Sequence, residues 1–235
     1  MTVAAMTRLR LKRIVALATL LITPTLQAQD GGTEYVDLRF VTVASDQQTE
    51  WAPLLRKRRD VVQEQGMAFF HVFQRLRGPL GVYLIVTPHT PVGTPASERA
   101  NTYWLEDLQK TVASQSLITA INYTGPPTNS WSHPAEPFML ARRFTAAADQ
   151  SNSYGQWLAG ELSPAYRDAG VDDARTLRAV VGWGPGTWIH LTFMDSWPGE
   201  RLGLDQSMLN RGAAMVVGEE YYLYSFHEDL SYTAD

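Results

Sequence analysis

The sequence predicts an α+β protein built from two consecutive β-α-β-β-α-β units. Three observations support this. Two stretches, RGPLGVYLIVTP at 77–88 and WGPGTWIHLTFMD at 183–195, each place a Gly-Pro turn before a strand of alternating bulky apolar residues. The same order of strand-like and helix-like segments occurs on both sides of a proline-rich link at 125–137. With 235 residues, 45% of them hydrophobic, the chain is long enough to bury a sizeable core.

The first predicted unit covers residues 35–124. Alternation and β-branched residues in VDLRFVTVAS predict its first strand. Ser45 or Asp46 is the expected N-cap of a helix that Gly66 ends. The remaining predicted elements are strands at 67–76 and 81–87, a helix carrying Trp104, Leu105, Leu108 and Val112, and a fourth strand at 117–124.

The second predicted unit covers residues 138–232. FMLARRFTAA predicts its first strand, and Gly170 closes the helix that follows. RTLRAVVGW and TWIHLTFMD predict the hairpin strands. A helix around Met208, interrupted by Gly212, and the strand YYLYSFH complete the unit. The HEDL segment at 227–230 is expected to be a solvated chain end.

The repeated order indicates an internal duplication. The matched pairs are Arg39-Phe40 with Arg143-Phe144, Gly66 with Gly170, Trp51 with Trp157, and Gly78-Pro79 with Gly184-Pro185. The order β-α-β-β-α-β is the ferredoxin-like motif, in which both helices cover one face of a four-stranded antiparallel sheet. The other sheet face of each unit must also be buried. We therefore predict two antiparallel sheets that face each other as a barrel with the helices outside.

This arrangement resembles the dimeric α+β barrel superfamily, which includes the antibiotic-biosynthesis monooxygenases and the NIPSNAP-like proteins. The resemblance depends on the element order and on the segments RLRGPLGVYLIVTP and GELSPAYRDAG. It implies a tandem, single-chain form over residues 35–232, and hence a monomeric pseudo-dimer. No catalytic motif of the superfamily matches a position of this sequence, so the catalytic residues are unknown at this stage.

Residues 1–28 have the pattern of a secretory signal peptide. Four basic residues, at 8, 10, 12 and 13, precede the apolar run IVALATLLI, and Ala28 offers a small residue at the expected cleavage site. Translation could start at Met1 or Met6. Because the chain has no cysteine, we expect neither disulfides nor a lipid-bearing cysteine. The predicted location is the periplasm or the exterior of the cell.

The charge disfavours two classes of partner. The full chain has 20 basic and 24 acidic residues, and the leader carries four basic residues and no acidic ones, which leaves a net charge of −8. Nucleic acids and anionic membrane surfaces both require a positive footprint, so neither is an expected partner after leader removal. The basic cluster RKRR at 56–59 is interpreted as a solvated helix face. No metal-binding motif was found, and no metal is predicted.

Strand alternation identifies candidate ligand-binding residues. Ile189, Leu191 and Phe193 form a continuous apolar set, which we expect to lie under the helices. Trp188 and His190 would then face the barrel interior. If the first hairpin has the same orientation, His71 and Arg75 face it as well.

Three function classes remain open. The first is a binding protein of the cell envelope, holding a small, partly aromatic or acidic molecule in the barrel interior. The second is a cofactor-independent enzyme of the monooxygenase type, as the resemblance implies, although the sequence leaves open whether the chain is an enzyme. The third, also implied by the resemblance, is haem binding, with His71 or His190 as axial ligand; no other cofactor is predicted.

Overall fold

The computed structural model describes residues 34–90, 98, 102–104, 106–124, 131, 136–171, 174–184, 186–195 and 204–234. These residues belong to one structural unit, Thr33–Asp235. The predicted signal peptide and most of the link at 125–137 lie outside the described residues, so both remain predictions. Within the link, Trp131 is buried and its ring stacks on Phe69.

The described residues form nine strands and several short helices. The strands are β1 Tyr35–Val43, β2 Phe69–Arg75, β3 Val82–Pro88, β4 Val112–Thr124, β5 Phe138–Ala146, β6 Ala174–Val181, β7 Thr187–Met194, β8 Val216–Phe226 and β9 Tyr232–Thr233. The α-helices are α1 Gln48–Glu64, α2 Ser151–Trp157, α3 Ser163–Asp168 and α4 Gln206–Ala213. A π-helix, Leu158–Leu162, joins α2 to α3, and 3-10 helices occupy Leu108–Thr111 and Glu228–Leu230. In this part of the chain, no helix combines the length and apolar character needed to cross a bilayer.

The strands form one large antiparallel sheet. In the first half the pairing order is β4-β1-β3-β2, and in the second half it is β8-β5-β7-β6. This mixed α+β arrangement is compatible with the ferredoxin-like fold. β4 also pairs with β6, and β2 also pairs with β8, so that each of these eight strands has two hydrogen-bonded neighbours among the eight.

One face of the sheet forms a core to which all eight of these strands contribute. Its members, here called the shared core, are Val36, Leu38, Phe69, Phe73, Leu84, Val86, Ala120, Trp131, Met139, Ala141, Leu177, Ile189, Leu191, Phe193 and Tyr224. Nearly every member is a large apolar side chain with at most 5% of its surface exposed. The side chains of this face are therefore buried inside the protein.

The opposite face packs against helices, separately in each half. In the first half, Trp51, Leu55 and Val62 of α1 pack with Phe70 and Ile85 of the sheet. In the second half, side chains of α2, the π-helix and α3 pack on β5 and β7. Both faces of the central strands are thus buried.

The two halves share local geometry as well as strand order. β1 and β5 each contain a register shift against their partner strand, at Thr42/Val43 and at Thr145/Ala146. Just there, Val43 N donates to the carbonyl of Gly81 at 2.8 Å, and Ala146 N donates to that of Gly186 at 2.9 Å. We call two positions equivalent when they hold the same place in these pairings.

This equivalence corrects two predicted matches. In β1 and β5 it makes Arg39 equivalent to Arg142, not to Arg143 as predicted. The first helix of each half starts at Gln48 and at Ser151. Counted from these starts, Trp51 is equivalent to Tyr154 instead of Trp157. The error in the strand matters because a shift of one residue moves a side chain to the other face of the sheet.

The π-helix explains why the offset changes along the chain. Equivalent residues are 103 positions apart at the helix starts (48 and 151) but 104 apart at the closing glycines (66 and 170). A π-helix accommodates one extra residue in a helix. Gly66 and Gly170 both close their helices with positive φ, +70° and +81°, as predicted for C-terminal glycines.

Four element predictions were wrong in detail. The N-cap of α1 is Gln47 instead of Ser45 or Asp46. Val112 begins β4 instead of lying in a helix. Gly212 lies inside α4 without interrupting it. The HEDL segment is not simply solvated, because Leu230 is buried and β9, which follows it, pairs with β2.

Candidate functional site

A cavity of about 200 Å³ opens on the helix-covered face of the first half. Residues from four neighbouring strands, β1 to β4, form its floor, and Arg58 of α1 and Trp104 contribute to its walls. The lining residues are Asp37, Arg39, Arg58, Met67, Phe70, Ile85, Thr87, Pro88, His89, Thr90, Trp104, Leu117 and Thr119. The lining thus combines an apolar wall with a few convergent polar groups, as small-molecule sites do.

Two arginines meet at this cavity. Arg39 comes from β1, its guanidinium lies 4.1 Å from the centre of the Trp104 ring, and its Nη1 donates to Gln115 Oε1 at 2.9 Å. Arg58 has only 8% of its surface exposed. Burial, and then the positive charge of Arg39, lower the pKa of Arg58 to about 10. Burial also lowers the pKa of Arg39 to about 10, against the opposing effect of Asp37. Both groups stay charged at neutral pH.

The burial of Arg58 corrects the interpretation of the RKRR cluster. Its neighbours Arg56 and Arg59 do lie at the surface, where they interact with Asp229 and Asp60. Arg58 instead points inward on α1, on the face that carries Leu55 and Val62. One of the four basic residues is therefore part of a cavity, while two others form surface ion pairs.

A short chain of hydrogen bonds lies beside the arginines. Thr119 Oγ1 donates to Asp37 Oδ1 at 2.6 Å, and His89 Nδ1 lies 3.1 Å from both carboxylate oxygens of Asp37. β-sheet pairing sets this geometry, because Thr119 is directly opposite Asp37 and His89 N donates to the carbonyl of Tyr35. A carboxylate accepts only, so Nδ1 of His89 is the donor and Nε2 carries the lone pair in the neutral ring.

The equivalent arginine of the second half has a different environment. Arg142 donates to Glu219 through Nη2 at 2.6 Å and Nε at 3.1 Å, and its Nη1 contacts the hydroxyl of Tyr166. Burial acts to lower the pKa of Arg142, but Tyr166 and Glu219 together raise it above its ordinary value. Glu219 is equivalent to Gln115, since each lies two residues before the strand partner of the arginine. The second half thus pairs its arginine with a carboxylate, whereas the first half pairs its arginine with an uncharged amide.

The hydrogen-bonded chain also has no polar counterpart in the second half. Strand pairing makes Leu140 equivalent to Asp37, Leu223 equivalent to Thr119, and Met194 equivalent to His89. All three polar positions of the first half are apolar in the second. The polar cavity is therefore a feature of one half and not a consequence of the fold.

His71 and Arg75, two of the predicted site residues, lie on the face of β2 that carries Phe69 and Phe73 of the shared core. The His71 ring contacts Phe69, Phe73 and Phe226, and its Nε2 lies 2.9 Å from Thr233 Oγ1. The Arg75 guanidinium lies 4.3 Å from the centre of the Tyr222 ring. Neither residue lines the cavity described above, and their role in ligand binding stays a prediction.

Trp188 and His190 face the opposite way, and the orientation predicted for them is wrong. Ile189 and Leu191 lie in the shared core, whereas Trp188 packs in the core beneath α2. His190 is fully buried, with its ring 4.9 Å from that of Tyr166. Ile189, Leu191 and Phe193 of β7 pack in the shared core instead of beneath the helices. The four predicted residues therefore do not form one site.

Neither predicted axial histidine fits haem. His190 has no exposed surface, and burial together with Arg142 lowers its pKa to about 3. His71 is enclosed by aromatic rings and is 1% exposed. A porphyrin needs open space over the coordinating nitrogen, and neither side chain has it. Within the described residues, no group of three acidic or histidine side chains could hold a metal ion.

The sequence contained partial signals for the cavity. Asp37 and Arg39 alternate on one face of β1 in a segment that is otherwise apolar, and this pattern marks a polar spot on a face covered by helices. His89 gave no such signal, because it follows the end of β3 and lies in none of the predicted elements. Thr119 gave no signal either, because it becomes a neighbour of Asp37 only through the pairing of β1 with β4.

Comparison with known proteins shows the fold. No family model matches the sequence, and no curated protein matches it. Among solved structures, a candidate monooxygenase from Lactobacillus acidophilus superimposes with a TM-score of 0.62 at 10% identity, covering 86% of this chain and 96% of that one.

Two further structures are similar. An anthrone oxidase-like protein has a TM-score of 0.60 at 12% identity, covering 87% of this chain and 94% of its own. A variant chlorite dismutase from Candidatus Nitrospira defluvii, in complex with cyanide, has a TM-score of 0.56 at 9% identity, with 84% and 92% covered. The structural neighbours are thus monooxygenase-like and chlorite dismutase-like proteins of the ferredoxin fold.

Proposed function

We propose that this protein binds a small organic anion with one aromatic ring in the cavity between Arg39, Arg58 and Trp104. The proposal depends on two arginines at one cavity, of which Arg39 is half-buried and Arg58 is buried. The hydrogen-bond partner of Arg39 is an uncharged glutamine, Gln115. Among the described residues that line the cavity there is one carboxylate, that of Asp37, and there are two guanidinium groups. A ligand carboxylate or phenolate would accept charge-assisted hydrogen bonds from these guanidinium groups.

The apolar part of the ligand has a place in the same cavity. Met67, Phe70, Ile85 and Leu117 supply apolar lining, and Trp104 supplies an aromatic face. A volume of about 200 Å³ lies below the range typical for drug-sized ligands, so it favours a molecule with a single ring. This location differs from the predicted barrel interior, where the large apolar side chains of the shared core lie.

The test compares two probes that differ in charge and little in shape. We expect phenylacetate to bind, and its neutral amide phenylacetamide to bind at least about tenfold more weakly, because charge-assisted hydrogen bonds contribute about 1.5–3 kcal/mol. Arg58→Met, which keeps an apolar stem in the cavity wall, should weaken phenylacetate binding by a similar factor. Arg211→Met makes the same chemical change at an exposed site and serves as the control.

Isothermal titration calorimetry measures these affinities. Equal binding of acid and amide, or an Arg58→Met variant as tight as the wild type, would contradict the proposal. Thermal unfolding of each variant shows whether the fold is intact.

An enzymatic role of the monooxygenase type is the second candidate. It is supported by the fold shared with the candidate monooxygenase and with the anthrone oxidase-like protein, and by a histidine beside the cavity. Oxygen uptake in the presence of a single-ring phenol tests it. An uptake rate equal to that of the Arg58→Met variant would count against this candidate.

We also propose that the two halves arose by tandem duplication and enclose the shared core as a barrel within one chain. Equal strand order, matching register shifts and the positive-φ glycines support this. A monomeric pseudo-dimer is then the expected state, which light scattering coupled to size-exclusion chromatography measures. The closer resemblance to NIPSNAP-like proteins stays a prediction.

Export to the periplasm or the exterior of the cell remains part of the proposal, supported by the residue pattern of 1–28. Intact-mass measurement of the protein recovered from cell fractions tests it. A periplasmic species beginning after Ala28 is expected, and a species that retains Met1 or Met6 would contradict it.

A further inference from the structure

The hydrogen-bonded chain Thr119–Asp37–His89 is not needed to bind an anion. A carboxylate at this place adds a negative charge to a site that holds two arginines for a negative ligand. A ligand anion must therefore accept repulsion from Asp37. Asp37 favours the charged form of Arg39, and its hydrogen bonds with Thr119 and His89 give it a second role at the cavity.

Asp37 fixes the state of the His89 ring. Because Asp37 accepts from Nδ1–H, the neutral ring has its lone pair on Nε2. Thr119 donates to the same carboxylate and holds it in place. His89 lines the cavity, with about a third of its side chain exposed. A histidine oriented by a carboxylate, next to a ligand cavity, is the arrangement of a general base.

We propose that His89 is a catalytic base that removes a proton from a carbon atom next to a carbonyl group of the bound anion. This inference rests on the proposed function, since it requires a ligand held by Arg39 and Arg58. Asp37 and Thr119 are positioning residues. The reaction class is keto–enol conversion or isomerisation by proton transfer.

The step is balanced without any oxidant or reductant. The C–H bond breaks, its proton joins Nε2 of His89, and its electron pair forms a carbon–carbon double bond as the carbonyl oxygen becomes an enolate. The nearby guanidinium groups stabilise the negative charge that develops on this oxygen. The imidazolium then returns the proton to the enolate, either at oxygen or at carbon.

The second half of the chain shows the same positions without this chemistry. Met194, Leu140 and Leu223 are the equivalents of His89, Asp37 and Thr119. None of these three side chains can accept or donate a proton. The equivalent arginine, Arg142, is paired with Glu219. The second half therefore folds without the polar groups, and their presence in the first half is not a requirement of the sheet.

The test uses phenylpyruvate, which combines an aromatic ring, a carboxylate and an acidic CH₂ group next to a ketone. In D₂O, the protein should accelerate loss of the CH₂ signal in the proton NMR spectrum over the buffer reaction. His89→Met, which installs the residue of the equivalent position, should reduce this acceleration at least about 100-fold. Calorimetric binding of phenylpyruvate should change less than about threefold. His227→Gln, a histidine outside the cavity, is the control and should behave as the wild type.

The possible results separate the two proposals. Binding without exchange above the buffer rate would overturn the role of His89 and leave the proposed function intact. Exchange that His89→Met does not slow would overturn it too. Absence of binding of both phenylpyruvate and phenylacetate would overturn the proposed function, and the inference with it. Since the variant is also assayed for binding, an unfolded protein is recognised by its loss of affinity and is replaced by His89→Gln.

Discussion

Arg39 donates a hydrogen bond to the amide of Gln115, whereas the equivalent Arg142 is paired with the carboxylate of Glu219. The two arginines sit on equivalent strands, β1 and β5, and their partners sit at equivalent places of β4 and β8. Arg39, whose partner is an amide, is therefore available to an anionic ligand, whereas Arg142 is already neutralised by a carboxylate.

Gln115→Glu should convert the first half to the condition of the second. The new carboxylate would pair with Arg39 and repel an anionic ligand, so we expect phenylacetate affinity to fall at least about tenfold, or about 1.4 kcal/mol. The mirror change, Glu219→Gln, alters the second half only and should leave the affinity unchanged. Calorimetry on both variants checks this. An equal effect of the two changes would show that the ligand does not lie beside Arg39.

His190→Leu should make the protein less sensitive to acid. Burial, with a smaller effect of Arg142, lowers the pKa of His190 from about 6.5 to about 3. Between these values the unfolded chain binds a proton that the folded protein does not, so stability falls as the pH falls. The loss at pH 5 relative to pH 7 is up to about 2 kcal/mol, and the leucine variant should lack it.

Urea unfolding at pH 5 and pH 7 measures this difference. His190 Nε2 has no hydrogen-bond partner among the described residues, and the equivalent residue is Ile85, so we expect the leucine variant to be at least as stable as the wild type at pH 7. Phenylacetate binding should be unchanged. A variant with the same pH dependence as the wild type would place the titrating group elsewhere.

Gly212→Ala should destabilise the protein through one aromatic contact. A Cβ at this position would lie 2.3–2.7 Å from three ring atoms of Trp157, so the ring would have to move within the core under α4. We expect a loss of about 1–3 kcal/mol. Gly160→Ala is the matched control, because no atom lies within 4 Å of its Cβ. Alanine favours helices over glycine, so the control should be neutral or more stable by up to about 1 kcal/mol. Thermal unfolding distinguishes these outcomes.

Asp37→Leu should change the protonation pattern of the His89 ring. With Asp37 present, Nδ1 carries the proton and Nε2 is bare in the neutral ring. Removing the acceptor takes away this preference, so protonation should shift toward Nε2. Long-range proton–nitrogen NMR on histidine-labelled protein reports which nitrogen is bare. A ring whose pattern is the same in the variant would show that Asp37 does not orient His89.

The sequence by itself determined the order of elements, because that order depends on local signals. Alternation in VDLRFVTV, the turn residues of the two hairpins, and the closing glycines Gly66 and Gly170 each act within a few residues of the chain. The large antiparallel sheet and the ferredoxin-like character of the fold follow from this order. Boundaries that depend on long-range pairing, such as the start of β4 at Val112, could not be located in this way.

Only the tertiary structure decided which face of each strand packs in the shared core and which face packs against the helices. β7 is buried on both faces from Thr187 to Phe193, so alternation cannot tell the shared core from the helix-side core. For the same reason the sequence predicts the wrong face for Trp188 and His190. The candidate site required more still, since Asp37, His89 and Thr119 come from separate segments and become neighbours only through the pairing of β1 with β3 and β4. Hydrogen bonds between residues 52 and 82 positions apart leave no trace in local sequence, because sheet register is set by the packing of the whole chain.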